Sequence, residues 1–111
     1  MATGTYGKEF TLGASVAELT LGLGTNESLL ISSATICNTD SVARLLTMHL
    51  ASDGAAAATG NKIENVRPIA NGAGINTALS GKSVKKAGKL YAGSDAGSVM
   101  VLSITGFVEA E

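Results

Sequence analysis

The stretch "SVMVLSITGFVEA", residues 98–110, alternates its side chains in steps of two along nearly its whole length. Val99, Val101, Ser103, Thr105 and Phe107 oppose Met100, Leu102, Ile104 and Val108. Side chains of a β-strand point to opposite faces in turn, so this period marks a strand. Much of the rest of the chain repeats the pattern in shorter form, which directs the fold towards stacked sheets.

"KEFTL" at 8–12 reads as a short strand with Phe10 and Leu12 on one face, preceded by "MATGTYG", a small, Gly-rich arm without structure of its own. "VAELTLGLG" carries Leu19, Leu21 and Leu23 at period two and reads as a strand, and "GTN" at 24–26 as a turn. In "SLLISSATIC", Leu30, Ala34 and Ile36 share one parity, broken by Ser32, while Leu29, Ile31, Ser33, Thr35 and Cys37 share the other. Both faces are partly apolar, so this strand belongs in the middle of a sheet. "NTDS" at 38–41 reads as a turn, and "VARLLTMHLA" resumes the alternation, which makes a β-hairpin of the pair. A helix capped by Ser41 competes for this second segment; the alternating flanks favour the strand. "DGAAAATGN" at 53–61 suits a short helical turn or an extended loop.

"KIENVRPIA" alternates again, with Pro68 placing its end at a sheet edge. "NGAG" at 71–74 is the strongest turn signal in the chain. "INTAL" and "KLYAG" are short strands on either side of the polar loop "SGKSVKKAG", and "SDAG" turns the chain into the closing strand. The expected fold is all-β: an antiparallel β-sandwich or jelly roll of seven or eight short strands, with an arm at 1–7 and a single domain at 8–111.

Composition narrows the function. The chain has 111 residues, enough for one core that buries roughly 65% of the unfolded surface. It has no Trp, two Phe, two Tyr and 14 Gly. A core of small side chains favours a subunit that gains stability by packing against copies of itself or a partner. Net charge is −1, with Lys82, Lys85, Lys86 and Lys89 clustered late in the sequence. Four lysines with Tyr91 alone nearby make a solvated loop or a docking surface for an acidic protein, and not the basic, aromatic-studded face of a nucleic-acid binder. No apolar run is long enough to span a membrane, and "MATGTYGKEF" lacks the basic-then-apolar pattern of a signal peptide, so a soluble protein made in a cytoplasm is expected.

No catalytic constellation emerges. Cys37 and His49 are the only residues of their kinds, and a Cys–His nucleophile needs an orienting third group. Cys37, beside Ile36, reads as a small hydrophobe filling space, and His49 as a surface or packed residue. One His and one Cys are too few for a zinc site. "SGKS" at 80–83 resembles the end of a phosphate loop, but its first glycine would fall at Asn76. Asp40, Asp53, Glu64, Asp95 and Glu109 form no pair spaced for acid–base work. The expectation is no enzyme, no catalytic, cofactor-binding or metal site, and no cofactor.

The run "SATICNTDSVARLLTMHLA" resembles a group of small bacteriophage proteins found among virion structural genes. Their shared pattern is a Val/Ile-rich strand, "CNT", Ser/Asp, a small residue, "AR" and a second strand; Cys37, Asn38, Thr39, Ala43 and Arg44 are the matching positions. "VAELTLGLGTNESLLI" and "KKAGKLYAGSDAGSVMVLSITGFVEA" resemble the flanking segments, so the likeness runs from about 16 to 109 and departs between 53 and 82. It implies a β-sandwich virion component on the outer surface of a capsid: a decoration (cement) protein whose partners are the major capsid protein and itself, as a homo-oligomer with a trimer the favoured form, and with no nucleic acid or membrane. A tail, neck, baseplate or fibre-associated protein is the alternative, and a sugar-binding host-recognition jelly roll a more distant one.

Overall fold

The computed structural model describes residues 3–24, 26–52, 54–85 and 88–110. Met1, Ala2, Thr25, Asp53 and Lys86, which figured in the expected arm, turn, flanking carboxylate and lysine cluster, lie outside the described residues. The strands are β1 (Thr3–Thr11), β2 (Ala17–Leu19), β3 (Glu27–Asn38), β4 (Arg44–Ala51), β5 (Lys62–Ile69), β6 (Gly74–Asn76), β7 (Ser83–Val84), β8 (Lys89–Ser94) and β9 (Met100–Ala110). One sheet has the order β1-β9-β3-β6, with β7 beside β6 on the edge of β3; the other has the order β2-β8-β4-β5. All the pairings are antiparallel. Repeated crossing of the chain between two such sheets is the jelly-roll arrangement, so the all-β expectation holds.

The core lies between the sheets. Leu29, Ile31, Ile36, Leu102 and Ile104 of the first sheet meet Leu46, Met48, Leu90 and Ala92 of the second, all with at most 1% exposure. Full burial of one such Leu or Ile side chain contributes about 1.5–3 kcal/mol, so these aliphatic residues dominate the driving force despite the scarcity of aromatics.

The double apolar parity of β3 has a structural cause. The register against β9 shifts between Ile31 and Ser33. This bulge swaps the inward parity: Leu29 and Ile31 are buried before it, Ala34, Ile36 and Asn38 after it. A bulge adds one residue to a strand and flips the faces beyond it. Ser32 sits at the irregularity and donates its hydroxyl to the Thr105 carbonyl at 3.1 Å.

Four local expectations are corrected. Residues 3–7 are not an unstructured arm: they belong to β1, which pairs with β9 from Thr3↔Glu109 to Thr11↔Val101. The strand expected over 16–24 is only Ala17–Leu19, and further on Gly22 takes φ +77°. The carbonyls of Leu21 and Thr20 are taken by the Tyr6 hydroxyl (2.7 Å) and Lys8 Nζ (2.8 Å) instead of a neighbouring strand. "INTAL" is a strand only to Asn76, after which Thr77 turns the chain by donating its hydroxyl to the Ala34 carbonyl. Finally, β3 and β4 do not form a hairpin, since they lie in different sheets.

Candidate functional site

The "CNTDSVAR" run builds the corner at which the chain leaves one sheet for the other. Asn38 is fully buried. Its Nδ2 donates to the carbonyls of Val42 (3.0 Å) and Ile69 (2.9 Å), and its Oδ1 accepts the Asp40 N–H (2.9 Å). Its backbone N–H donates to Ala73 O, and its carbonyl accepts the Gly72 N–H. The side-chain amide thus satisfies backbone groups of two separate segments, 40–42 and the end of β5, which is what a buried polar side chain must do to avoid a penalty. The Thr39 N–H and hydroxyl both donate to the Val99 carbonyl at 2.8 Å.

Arg44 closes the same corner from outside. Its Nε and Nη2 both reach Asp40 Oδ2 at 2.6 Å. The Arg44 hydrogen bond is the main cause holding the Asp40 carboxyl below its ordinary range. Asp95, across the sheet end, is lowered chiefly by the Leu45 N–H that it accepts at 3.0 Å. The half-buried Asp40 and Arg44 and the exposed Asp95 are matched to one another and to the backbone, and their role is to fix the corner.

Cys37 and His49 are not brought together. Cys37 faces outward from the first sheet and is exposed, so its expected role as buried filler is corrected: the β3 bulge turns its parity away from the core. His49 is buried under the 55–61 loop on the outer face of the second sheet. Its Nδ1–H lies 2.9 Å from both Ala58 O and Asn61 Oδ1. Tyr91, its cross-strand partner, donates its hydroxyl to Ala55 O, and Asn61 Nδ2 donates to Ala56 O. Histidine and tyrosine therefore latch a loop onto the sheet.

Glu64 is likewise absorbed by the structure. Its Oε2 accepts the Arg67 guanidinium at 2.9 Å and the Ala78 N–H at 2.8 Å, lacing β5 to the segment that follows β6. Lys82 is exposed beside Gly81, whose φ is +83°, and Ser80 uses its hydroxyl on the backbone of Ala34. "SGKS" is thus a turn that docks on β3. Among the described residues, no group of three His, Cys, Asp or Glu is placed to hold a metal ion.

What the sandwich presents outward is more distinctive. On the outer face of the first sheet, Leu30 and Phe107 are direct cross-strand partners, 46% and 50% exposed, with Thr5 next in the row. Along the same face their neighbours are Thr105 and Glu109 on β9 and Ser28 and Ser32 on β3. Beside β1, a shallow cleft of about 210 Å³ runs between residues 18–24 and 88–90, floored by Leu21 and Leu90. Periodicity marked these positions as strand faces; only the pairing of strands shows that Leu30 and Phe107 form one exposed patch.

No family model matches the chain, and no curated protein matches it. Among solved structures it is similar to a chain of the Bacillus endospore appendages, described as a family of disulfide-linked pili, at 11% identity and a TM-score of 0.56. That match covers 98% of this chain and 87% of the other. A chain from a structure of infectious bursal disease virus, Gx strain, is 14% identical with a TM-score of 0.37, over 96% of this chain and 30% of that one. The first likeness shows a shared fold. Among the described residues, no helix is long and apolar enough to cross a membrane.

Proposed function

We propose that this chain is a bacteriophage virion structural protein: a capsid decoration protein that binds the assembled shell and stabilises contacts between neighbouring major capsid protein subunits. The observation that carries the reading is the role of the "CNTDSVAR" signature. Asn38, Thr39 and Arg44, the positions through which the chain resembles small virion proteins, are spent on building the corner of a jelly roll. The signature specifies a scaffold, and the scaffold offers broad outer faces where an enzyme would place convergent reactive groups. The exposed Leu30–Phe107 patch, bordered by Ser28, Ser32, Thr105 and Glu109, suits docking on a protein surface.

A decoration protein works by mass action: it binds the assembled shell and not the free subunit, so occupancy raises the free energy needed to disassemble the shell. Purified particles test this. The protein should be present in many copies per particle and remain on tailless heads, and adding it back to stripped heads should raise their thermal rupture temperature. Recovery in purified tails alone would overturn the reading in favour of a tail, neck or baseplate component. The fold shared with a pilus chain adds a second outcome, filaments of the purified protein by electron microscopy. With one cysteine in the sequence, disulfides would link such copies in pairs and no further.

A further inference from the structure

The two long sides of the sandwich are treated differently. On one side the edge strands are short or interrupted: β6 has three residues, β7 two, and β5 carries Pro68 and a bulge at which Val66 takes φ +50°. Glu64 and Arg67 lace this side shut, through Ala78 N–H and the Asn76 carbonyl. Short edges, proline, bulges and charge are the means by which sheets avoid pairing with other chains. On the other side, β2 is short, but β1 runs for nine residues without proline or bulge and, among the described residues, pairs with β9 and with no other strand. Its inward lysine, Lys8, is already engaged with the Thr20 carbonyl and lies 5.3 Å from the Phe10 ring centroid. Built Cβ atoms at Gly4 and Gly7 meet nothing within 4 Å.

The hydrogen-bonding parity of this edge follows from the ladder. Leu12 N–H donates to Met100 O in continuation of the β1–β9 register. Alternate residues of an antiparallel strand address opposite neighbours, so the even-numbered residues bond β9. Thr3, Thr5, Gly7, Glu9 and Thr11 therefore turn their N–H and C=O groups outward.

From this we infer that β1 is the self-association edge of the protein: two copies pair β1 with β1 antiparallel about a twofold axis through Gly7, which joins their first sheets into one. The nine residues determine the register. Centring on Gly7 pairs all of them, with the outward-bonding Gly7, Thr5 and Glu9 opposite Gly7, Glu9 and Thr5 of the second copy. Tyr6 then lies opposite Lys8, and Gly4 opposite Phe10, an aromatic ring over a strand glycine. No like charges face each other. Moving the axis to Lys8 sets Lys8 against Lys8, which is destabilising, and moving it to Tyr6 leaves the last two residues of β1 unpaired. A closed, isologous contact of this kind gives a twofold dimer, not a trimer.

Sedimentation equilibrium of the full chain should show a monomer–dimer equilibrium. Proline tolerates an edge position whose N–H points away from the sheet. Gly7→Pro and Thr5→Pro should thus keep the native circular dichroism spectrum and weaken dimerisation at least about 100-fold, by deleting outward donors and obstructing the approach. Tyr6→Pro, which removes an N–H bonded to β9, should instead lower the melting temperature. A second measurement does not depend on proline being accepted. In a Cys37→Ser background, Gly7→Cys should oxidise to a covalent dimer, because residues in a hydrogen-bonded antiparallel pair lie about 5.5 Å apart between Cα atoms, within disulfide range. A protein monomeric up to about 1 mM, the weak end of specific association, would overturn the inference. So would a trimer, a dimer that Gly7→Pro leaves unchanged, or the absence of a Gly7→Cys cross-link.

Discussion

Asn38 Nδ2 donates to the Ile69 carbonyl 2.9 Å away, across 31 residues of sequence. That bond ties the end of β3, in one sheet, to the end of β5, in the other, at the point where the chain changes sheets. Replacing Asn38 with Ala strands two buried or half-buried carbonyls and should cost about 1–3 kcal/mol. Asn38→Asp should cost more at neutral pH, since a carboxylate would face the Val42 and Ile69 carbonyl oxygens in place of a donor. Urea titrations of the two variants check the order.

Gly106 lies where β9 passes the β3 bulge, and a Cβ there would run into the Leu30 carbonyl. Gly93 lies under the 13–16 crossover, with a Cβ 2.5 Å from Ser15 and Val16 backbone atoms. Backbone cannot move aside as a flexible side chain can, so Gly106→Ala and Gly93→Ala should each cost about 1–3 kcal/mol or more. Gly97→Ala, with open space around it, should change the melting temperature little.

Val66 is a β-branched residue held at φ +50°, with half of its surface in solvent. The left-handed conformation is strained for such a side chain, and little packing is lost by removing it. Val66→Gly should therefore leave stability unchanged or raise it by about 1 kcal/mol, as read from the denaturation midpoint.

Asp40 and Asp95 both have lowered carboxyl pKa values, from the Arg44 and Leu45 hydrogen bonds respectively. A depressed folded-state pKa contributes stability that is present above the unfolded value, about 3.9, and is lost as pH falls through the folded value. The melting temperature should decline below about pH 4, and the Asp40→Asn/Asp95→Asn double variant should show a shallower acid decline. An equal slope in both proteins would mean that these corner carboxylates contribute nothing to acid sensitivity.

Cys37 stands exposed on the first sheet. It should react with a thiol reagent in the native protein without denaturant, and Cys37→Ser should shift stability by less than about 0.5 kcal/mol, as for other surface substitutions.

Period-two alternation carried most of the secondary structure, because the faces of a strand are a local property of the backbone. It marked β3, β4, β5, β8 and β9, and "NGAG" and "SDAG" marked turns between them. Pro68 pointed to an edge, and β5 is one. The apolar residues on both parities of "SLLISSATIC" put β3 in the middle of a sheet, and their change of phase was the trace of a bulge. Gly93 and Gly106 signalled close backbone approach only in retrospect, since a strand glycine has the same letter whether or not a neighbour crowds it.

Sheet membership was not local, and there the sequence fell short. "NTDS" has the composition of a hairpin turn, yet Asn38 finds its partners at Val42 and Ile69 and sends β4 to the opposite sheet. "MATGTYG" has the composition of a loose arm, yet Thr3–Gly7 form strand because β9 extends far enough to pair with them. By itself the sequence determined that this chain makes strands and where most of them lie, through side-chain alternation and turn chemistry. The tertiary structure alone decided which strand lies beside which, and so which edge is closed by Glu64 and which, at β1, stays open. Pairing energy comes from partners distant in the chain, and no local pattern records them.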